Sequence, residues 1–394
     1  MSRLKMARVN LVRSRASDSA VYKIARTLSK DGYEVNLLIW DRSGRRIEEP
    51  NHQYAVYAFD FKAPVDKVEG VPFLPLFWLY EFVFLVKHKA QIYHACDFDT
   101  LLPALVAARI TGARLFYSIV DFYANNIPGD SFGRAGRLAR QILEALEKTC
   151  IGLTDVVTLV DESRRAEIEG ARTKKIIVLY NSPEDIRREE TIKPKREPQA
   201  LVVFYAGMLI KDVRGIEQMI EAVKRVDGVT LILAGSGPDE SYFRELARQT
   251  RRLQFIGWIP RSEDLLREEM NSDVLFRFSN PKHPKTRYES PNKLFDAMMC
   301  AKPIIVSDGG SMARIVKEET CGLVIPFGDI PAIQQAITGL RDDADLRLRL
   351  GNNGRRAYER KYSGTIMRER LLRAYNQLIP RSDTSAIRGD CEYH

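Results

Sequence analysis

A predicted helix start that carries a lysine is the most informative feature of this 394-residue sequence. Ser290 is a favourable N-cap and Pro291 suits the first helical position, so a helix is expected to begin here. Lys293 then falls at the third helical position, where the helix dipole disfavours a cation by about 0.3–1 kcal/mol. A phosphate or diphosphate at the helix N-terminus would explain the lysine. We therefore predict an anion site, with an ordinary capped helix as the alternative.

The residues around this start belong to a recognisable pattern. Residues 288–297 (YESPNKLFDA) resemble the nucleotide-sugar signature of the family 4 retaining glycosyltransferases, in the subgroup that reads S-P-N-K-x-F-[DE]-A-M. Further matches follow in the family's order through the second half of the chain, and looser matches extend over the first half. The second-half matches are Gly207–Leu209, Arg214–Gly215, Ala234–Pro238, Phe255–Trp258 and Gly322–Val324.

The resemblance implies a GT-B fold, in which two Rossmann-like, doubly wound α/β domains face each other across a cleft. Apolar strand-like runs alternate with helical patterns along the whole sequence, which independently favours parallel sheets with crossover helices. We place the N-terminal acceptor-binding domain at 1–182, a linker at 183–198 and the C-terminal nucleotide-sugar-binding domain at 199–342. C-terminal helices at 343–380, partly crossing back to the first domain, and a tail at 381–394 complete the prediction.

The individual elements follow from the same alternation. Predicted strands lie near 8–13, 34–40, 54–59, 91–94, 113–119, 155–160, 175–180, 201–206, 229–234, 253–256, 273–277, 303–306 and 322–325. Predicted helices lie near 19–30, 76–89, 99–110, 134–150, 162–169, 214–226, 238–250, 262–270, 291–300 and 330–340, with one long helical region near 343–378.

The loops at the carboxyl ends of the second domain's strands are basic and rich in glycine, which suits a diphosphate. By the resemblance, Arg214 matches a phosphate-clamping lysine of the family, and a solvated helix-start residue is the alternative. Met208 stands where the family has a companion arginine, and Lys211 or Lys293 is its predicted replacement. Asp296 matches the carboxylate that the resemblance assigns to the ribose hydroxyls, with a Lys293 salt bridge as the alternative. The other predicted donor-binding residues are Gly207, Lys211, Gly215, Gly237, Glu289, Ser290, Pro291 and Asn292.

The corresponding loops of the first domain carry carboxylates, which suit sugar hydroxyls. Asp121 follows a predicted strand, near the place of a histidine that the family often has. We predict that Asp121 acts as a base or orients the acceptor hydroxyl, with a capping role as the alternative. Asp18, His94 and Asp97 are predicted on the same acceptor side, and a core histidine is the alternative for His94.

Composition narrows the partners. The net charge of +9 suits a diphosphate substrate or an anionic membrane, whereas no basic-aromatic module or zinc pattern points to nucleic acid. Five cysteines form no C-x-x-C motif, so we expect free thiols, no metal site and a reducing, cytoplasmic location.

One hydrophobic run, residues 71–86, contains two prolines and a glutamate and is shorter than the roughly 20 residues of a spanning helix. We therefore expect it not to cross a membrane. It is predicted to be a largely buried helix or, alternatively, a face that enters the membrane interface beside Lys87, His88, Lys89, Arg134, Arg137 and Arg140.

Together these observations predict a retaining, metal-independent glycosyltransferase that moves a sugar from UDP- or GDP-sugar to an acceptor hydroxyl, with no further cofactor. Arg214 and Lys293 would stabilise the leaving diphosphate. The acceptor is expected to be a glycan or a lipid-linked sugar at the cytoplasmic face of the membrane. A sugar-nucleotide epimerase of the same fold and a non-catalytic partner subunit are the alternatives.

Overall fold

The computed structural model describes residues 7–16, 19–42, 44, 53–64, 68–126, 133–187, 200–282 and 292–379. The chain divides into two compact units. Unit 1 consists of the described residues within Met1–Val160, Arg165–Leu179 and Arg368–His394, and unit 2 of those within Asp161–Arg164 and Tyr180–Met367. Most of the predicted linker and all of the predicted tail lie outside the described residues.

Unit 1 is built on a parallel sheet with the strand order β3-β2-β1-β4-β5-β6-β7. Its strands are β1 (Arg8–Arg13), β2 (Glu34–Trp40), β3 (Ala55–Phe59), β4 (Ile92–Cys96), β5 (Arg114–Ile119), β6 (Val156–Leu159) and β7 (Ile176–Val178). The order changes direction between β1 and β4, which is the switch point of a doubly wound sheet. Parallel strands covered on both faces form continuous apolar runs, and β2 is buried along all but its first residue.

Helices cover this sheet. They are α1 (Ser19–Lys30), α2 (Leu74–Lys87), α3 (Phe98–Thr111) and α4 (Gly133–Gly152). In α1, Val21, Ala25 and Leu28 recur at helical spacing and are buried in the same cluster as the apolar residues of β1 and β2. The cluster also contains Tyr375, from the C-terminal helix of the chain.

Unit 2 has a second parallel sheet, with the order β10-β9-β8-β11-β12-β13. Its strands are β8 (Leu201–Met208), β9 (Val229–Ser236), β10 (Leu253–Gly257), β11 (Val274–Arg277), β12 (Ile304–Ser307) and β13 (Gly322–Ile325). Its helices are α5 (Ile216–Lys224), α6 (Glu240–Gln249), α7 (Ser262–Asn271), α8 (Asn292–Cys300), α9 (Gly310–Glu319), α10 (Ile330–Asp342) and α11 (Ala344–Ala357). The switch point lies between β8 and β11.

The α/β architecture predicted from the sequence is confirmed, because each predicted strand overlaps an observed strand. Two helical predictions are corrected, and one helix that was not predicted is added. The structure adds α9, whose two opening glycines are typical of a loop. The helix predicted near 162–169 is a 3-10 turn, Glu162–Ala166. The long C-terminal helical region is divided by a π turn at Tyr358–Tyr362 before α12 (Gly364–Leu378) begins.

The apolar run of unit 1 is longer and more exposed than expected. A 3-10 turn continues into α2, so the helical segment Glu69–Lys87 has 19 residues and is apolar enough to span a membrane by length and composition. This corrects the argument from length. Phe77 and Leu85 are buried, and the Phe77 ring stacks on Trp40 at a centroid distance of 5.0 Å. Most of this segment is not buried, so the interpretation as a largely buried helix is wrong.

Candidate functional site

Next to the switch point of unit 2, the ends of β8 and β9 meet through glycine, and we call Gly207, Gly235 and Gly237 the glycine floor. β8 ends at Gly207 and Met208, and β9 ends at Gly235 and Ser236. A Cβ atom on Gly235 would lie 1.9 Å from the Gly207 carbonyl oxygen, so only glycine allows the two strand ends to approach this closely. The loops beyond them are also joined, because the Leu209 amide donates to the Ser236 carbonyl at 2.9 Å.

Gly237 continues this backbone contact. A Cβ atom there would lie 2.4 Å from the Leu209 carbonyl oxygen. The predicted donor residues Gly207 and Gly237 therefore lie at the same edge of the sheet. Exposed backbone at the carboxyl ends of parallel strands is where open α/β sheets bind ligands.

Arg214 and Gly215 form the start of α5 beside this floor. Gly215 is the N-cap, with φ of 60°, and a Cβ atom on it would lie 2.7 Å from the Phe278 ring. Arg214 is half-buried immediately before it. The sequence-predicted arginine therefore lies at a helix N-terminus, which favours phosphate oxygens.

Lys211 lies in the same loop, but its side chain is held elsewhere. Its Nζ atom is 3.9 Å from the centre of the Tyr242 ring, in a cation–π contact. Its backbone amide donates to Asp239 Oδ2 at 2.9 Å. This contact makes Lys211 a weaker candidate than Arg214 for contact with phosphate.

Lys293 has two carboxylate partners within the protein. Its Nζ lies 2.8 Å from Asp296 Oδ2 and 3.3 Å from Glu269 Oε1, and the Glu269 side chain is fully buried. Burial opposes the charge of Lys293, but the two carboxylates outweigh it and raise its pKa. Burial also raises the pKa of Glu269, with Lys293 acting in the opposite direction.

This arrangement bears on two sequence predictions. Two protein carboxylates supply the negative charge that the sequence argument assigned to a phosphate, so the lysine at the start of α8 has counter-ions within the protein. Asp296 adopts the salt bridge that the sequence offered as its alternative role. Asn292 is the first residue of α8 and is half-buried. Glu289, Ser290 and Pro291 lie outside the described residues.

The switch point of unit 1 is built from charged side chains. Arg13, at the end of β1, forms an ion pair with Asp97, which follows β4, and both side chains are only 3% exposed. Ser14 donates a hydrogen bond to Asp99, which lies in the first turn of α3. Asp97 also accepts hydrogen bonds from the amides of Val120, at 2.8 Å, and Asp121, at 3.1 Å.

Asp97 is therefore a buried support for the loop after β5. Asp121 lies in that loop, is half-buried, and has its backbone fixed by Asp97. The structure thus brings Asp97 and Asp121 together, with Asp121 the more accessible of the two. Asp18 lies outside the described residues.

His94 is a core histidine, which removes it from the acceptor side. It is fully buried in β4, where Nδ1 lies 2.5 Å from the Tyr375 hydroxyl and Nε2 lies 2.6 Å from Ser118 Oγ. Its ring centroid is 4.5 Å from that of Phe116. Burial lowers the pKa of His94 to about 3, so the ring is neutral at pH 7.

Three side chains near these sites were missed by the sequence argument. Arg277 ends β11 beside Gly207 and is 8% exposed. Glu147, in α4, accepts a hydrogen bond from the Tyr123 amide at 3.1 Å, and burial raises its pKa to about 8. Glu269 is the buried partner of Lys293. The charge of Arg277 at the end of an apolar strand was the one signal available in the sequence.

Within the described ranges, no group of three or more His, Cys, Asp or Glu side chains is arranged to hold a metal ion.

Comparison with known proteins agrees with this architecture. Residues 200–343 match the family model of glycosyl transferases group 1. Over 192 residues the chain is 29% identical to the capsular polysaccharide biosynthesis glycosyltransferase CapM of Staphylococcus aureus, a match covering 46% of this chain and 47% of CapM. The chain spans about half the length of the curated relatives it matches first.

Solved structures match over a larger share of the chain. Sucrose-phosphate synthase from Thermosynechococcus elongatus has a TM-score of 0.72 at 16% identity, covering 94% of this chain and 99% of that protein. HepE of Anabaena, in complex with UDP and glucose, has a TM-score of 0.65 at 15% identity, with coverage of 94% and 99%. Unit 2 therefore carries the match to the group 1 glycosyltransferase family, and the chain has the GT-B fold of its structural neighbours.

Proposed function

We propose that this protein is a retaining glycosyltransferase that transfers a sugar from a nucleoside diphosphate sugar to an acceptor hydroxyl in cell-envelope glycan or glycolipid synthesis. The observation that carries the proposal is the glycine floor of unit 2, bordered by Arg214, in a segment that matches group 1 glycosyltransferases. The name of CapM supports a role in a surface polysaccharide, and HepE supports UDP as the nucleotide. The retaining course rests on the S-P-N-K resemblance.

The donor chemistry depends on negative charge that develops on the leaving diphosphate. Arg214, at the N-terminus of α5, supplies a fixed positive charge, and Gly215 lets the phosphates approach the backbone. Fixed cationic groups of this kind perform the charge stabilisation that a divalent metal performs in other transferases, so we propose a metal-independent reaction. Lys293 contributes to donor binding indirectly. Its ion pair holds the carboxylate of Asp296, which the resemblance assigns to the ribose hydroxyls.

The acceptor side is assigned to unit 1. Asp121 is the proposed base or hydroxyl-orienting group, and Asp97 is a positioning residue that holds the Asp121 backbone amide.

Peripheral membrane contact at the cytoplasmic face is the second part of the proposal. The outward side of α2 is apolar: Leu76, Leu79, Tyr80 and Val83 are each more than a third exposed. α2 packs against α3, which exposes Val106 and Ile110. Exposed arginines stand on α4, so one unit combines apolar and basic surface, the combination that anionic lipid surfaces attract. The α4 arginines are Arg134, Arg137 and Arg140.

Vesicle sedimentation tests this contact. Binding to anionic vesicles should exceed binding to neutral ones and fall as salt shortens the Debye length below about 10 Å. Reversal of the three α4 arginines to glutamate should reduce binding, while the same change at the exposed arginines Arg248, Arg251 and Arg261 of unit 2 should not. Equal sedimentation with both vesicle types would count against the electrostatic part.

Incubation with radiolabelled UDP-, GDP- and ADP-sugars tests the enzymatic proposal. Transfer to an acceptor, or slow hydrolysis, with the donor's anomeric configuration kept in the product, is the expected result. An isomerised free nucleotide sugar would instead indicate an epimerase, and no reaction with any donor would indicate a non-catalytic partner.

Arg214→Ala tests whether Arg214 stabilises the leaving diphosphate. Because this charge acts mainly in the transition state, kcat should fall more than the donor KM rises. A change in KM alone would reduce Arg214 to a binding residue. Arg225→Ala, at the other end of α5, is the matched control.

A further inference from the structure

Arg277 is the last residue of β11, in the sequence Val274–Leu275–Phe276–Arg277. The three residues before it are buried core, and Arg277 itself is only 8% exposed. β11 is the first strand on the far side of the unit 2 switch point, and its neighbour β8 ends at the glycine floor. A nearly buried guanidinium therefore lies at the place where doubly wound sheets bind ligands.

Hydrogen bonds fix this guanidinium beside the floor. Arg277 Nη1 donates to the Tyr205 hydroxyl at 3.1 Å, and that hydroxyl donates to the Met208 carbonyl at 2.8 Å. A Cβ atom on Gly207 would lie 3.4 Å from Arg277 Nη1 and 3.2 Å from the Tyr205 hydroxyl. Gly207 therefore lies close to the guanidinium and presents only backbone to it.

Arg277 also lies next to the start of α5. Phe278, which follows it, is the residue whose ring a Cβ on Gly215 would strike at 2.7 Å. The loops after β8 and β11 are hydrogen-bonded, because the Asn280 amide donates to the Val213 carbonyl at 3.0 Å. The start of α5, which carries Arg214, and the end of β11, which carries Arg277, are thus packed together around one edge of the sheet.

An arginine in this position has the chemistry of a diphosphate ligand. Guanidinium stays charged at any physiological pH and carries five N–H donors in a planar fork that matches phosphate oxygens. We propose that Arg277 binds the diphosphate of the nucleotide donor, as a second cationic group beside Arg214. The inference rests on the proposed function, because it assigns a residue to the same donor site.

Isothermal titration with UDP, GDP and ADP, and with the matching nucleosides, tests the proposal. Arg277→Met should weaken binding of the preferred diphosphate about 10- to 100-fold, the range of a lost charge-assisted hydrogen bond, and leave nucleoside binding unchanged. Tyr205→Phe is the matched control: it removes the hydroxyl that orients the arginine and keeps the charge, so its effect should be much smaller.

Three results would overturn the inference: unchanged diphosphate affinity in Arg277→Met, an equal loss of nucleoside affinity, or an equal loss in Tyr205→Phe. Arg277→Lys serves if the methionine variant does not fold. It keeps the charge without the planar fork and should bind with intermediate affinity, and wild-type affinity in this variant would refute a specific guanidinium contact. If the unaltered protein binds none of the three diphosphates, the proposed function fails, and this inference with it.

Discussion

The carboxyl ends of the central strands carry different chemistry in the two units. In unit 1 the ends of β1 and β4 are filled by side chains, with the Arg13–Asp97 ion pair buried between them and Asp97 bonded to the next loop. In unit 2 the ends of β8 and β9 meet through the backbone of Gly207 and Gly235, with Arg277 next to Gly207 and Arg214 at the start of α5. The same strand order therefore supports two different sites.

Under the proposed function, this difference would let one fold divide the work of a transfer reaction. Charge in the unit 1 switch point is neutralised internally, so its role is to hold loops such as that of Asp121 in place. The unit 2 switch point has positive groups at a surface that admits close approach to the backbone, which suits a diphosphate. The following predictions test whether the first is structural and the second is a ligand site.

Asp97→Ala should have the largest effect on stability. It leaves Arg13 charged in a buried site and removes two backbone hydrogen bonds, so we expect a loss of about 4 kcal/mol in the free energy of unfolding. Chemical denaturation monitored by circular dichroism measures it. Asp227→Ala is the control, because Asp227 pairs with Arg252 but is 91% exposed, and it should have no measurable effect. Similar midpoints for the two variants would contradict the contrast.

The fold was predictable from the sequence because the signals for strands are local. Parallel strands covered on both faces appear as short continuous apolar runs, and β2 and β9 were predicted within a few residues of their observed bounds. α9 was missed because the glycines that open it, Gly309 and Gly310, are also typical of turns.

The sites were less predictable because their partners are distant in sequence. Lys293 was identified as unusual, but Glu269 lies 24 residues away in α7, and no spacing rule connects the two. His94 is fixed by Tyr375, which is 281 residues away in α12. Burial and pairing of such groups are tertiary properties, so the sequence predicted that a charge needed a partner and not which partner it had.

Gly235→Ala should have the next largest effect, and it examines the glycine floor directly. The new methyl group would lie 1.9 Å from the Gly207 carbonyl, and φ at this residue is 146°, so strain and overpacking should cost about 3 kcal/mol. Gly257→Ala, at φ of 78° with no atom within 4 Å, should cost about 1 kcal/mol from backbone strain alone. Nucleoside diphosphate binding should weaken in the first variant and persist in the second. Equal melting temperatures would show that the strand ends can separate.

Lys293→Ala distinguishes a structural lysine from a phosphate ligand. The sequence argument alone predicts that stability is kept or raised, whereas the structure predicts a loss of roughly 2 kcal/mol because Glu269 and Asp296 lose their counter-ion. The estimate lies below that for Asp97 because the Lys293 side chain is 23% exposed. Lys224→Ala breaks an exposed pair with Glu221 and is the control. Thermal melts with and without nucleotide decide: unchanged stability with lost binding would restore the phosphate role.

The smallest expected effect concerns the acid sensitivity that buried His94 gives to unit 1. Its folded-state pKa is about 3, below the ordinary value of 6.5, so as pH falls the unfolded chain takes up a proton that the folded protein does not. The stability that depends on the neutral ring is therefore complete above pH 6.5 and declines as pH falls toward 3, by about 1 kcal/mol between pH 7 and pH 5.5.

Glu147 acts in the opposite direction, because burial raises its pKa to about 8. The informative quantity is therefore the difference between the wild-type protein and His94→Gln at each pH. That difference should shrink by about 1 kcal/mol over this interval. Ser118→Ala removes one hydrogen-bond partner and keeps the imidazole, so its pH dependence should follow the wild type. A constant difference between wild type and His94→Gln would mean that His94 titrates in the folded protein, and so that the unit 1 strand ends admit solvent.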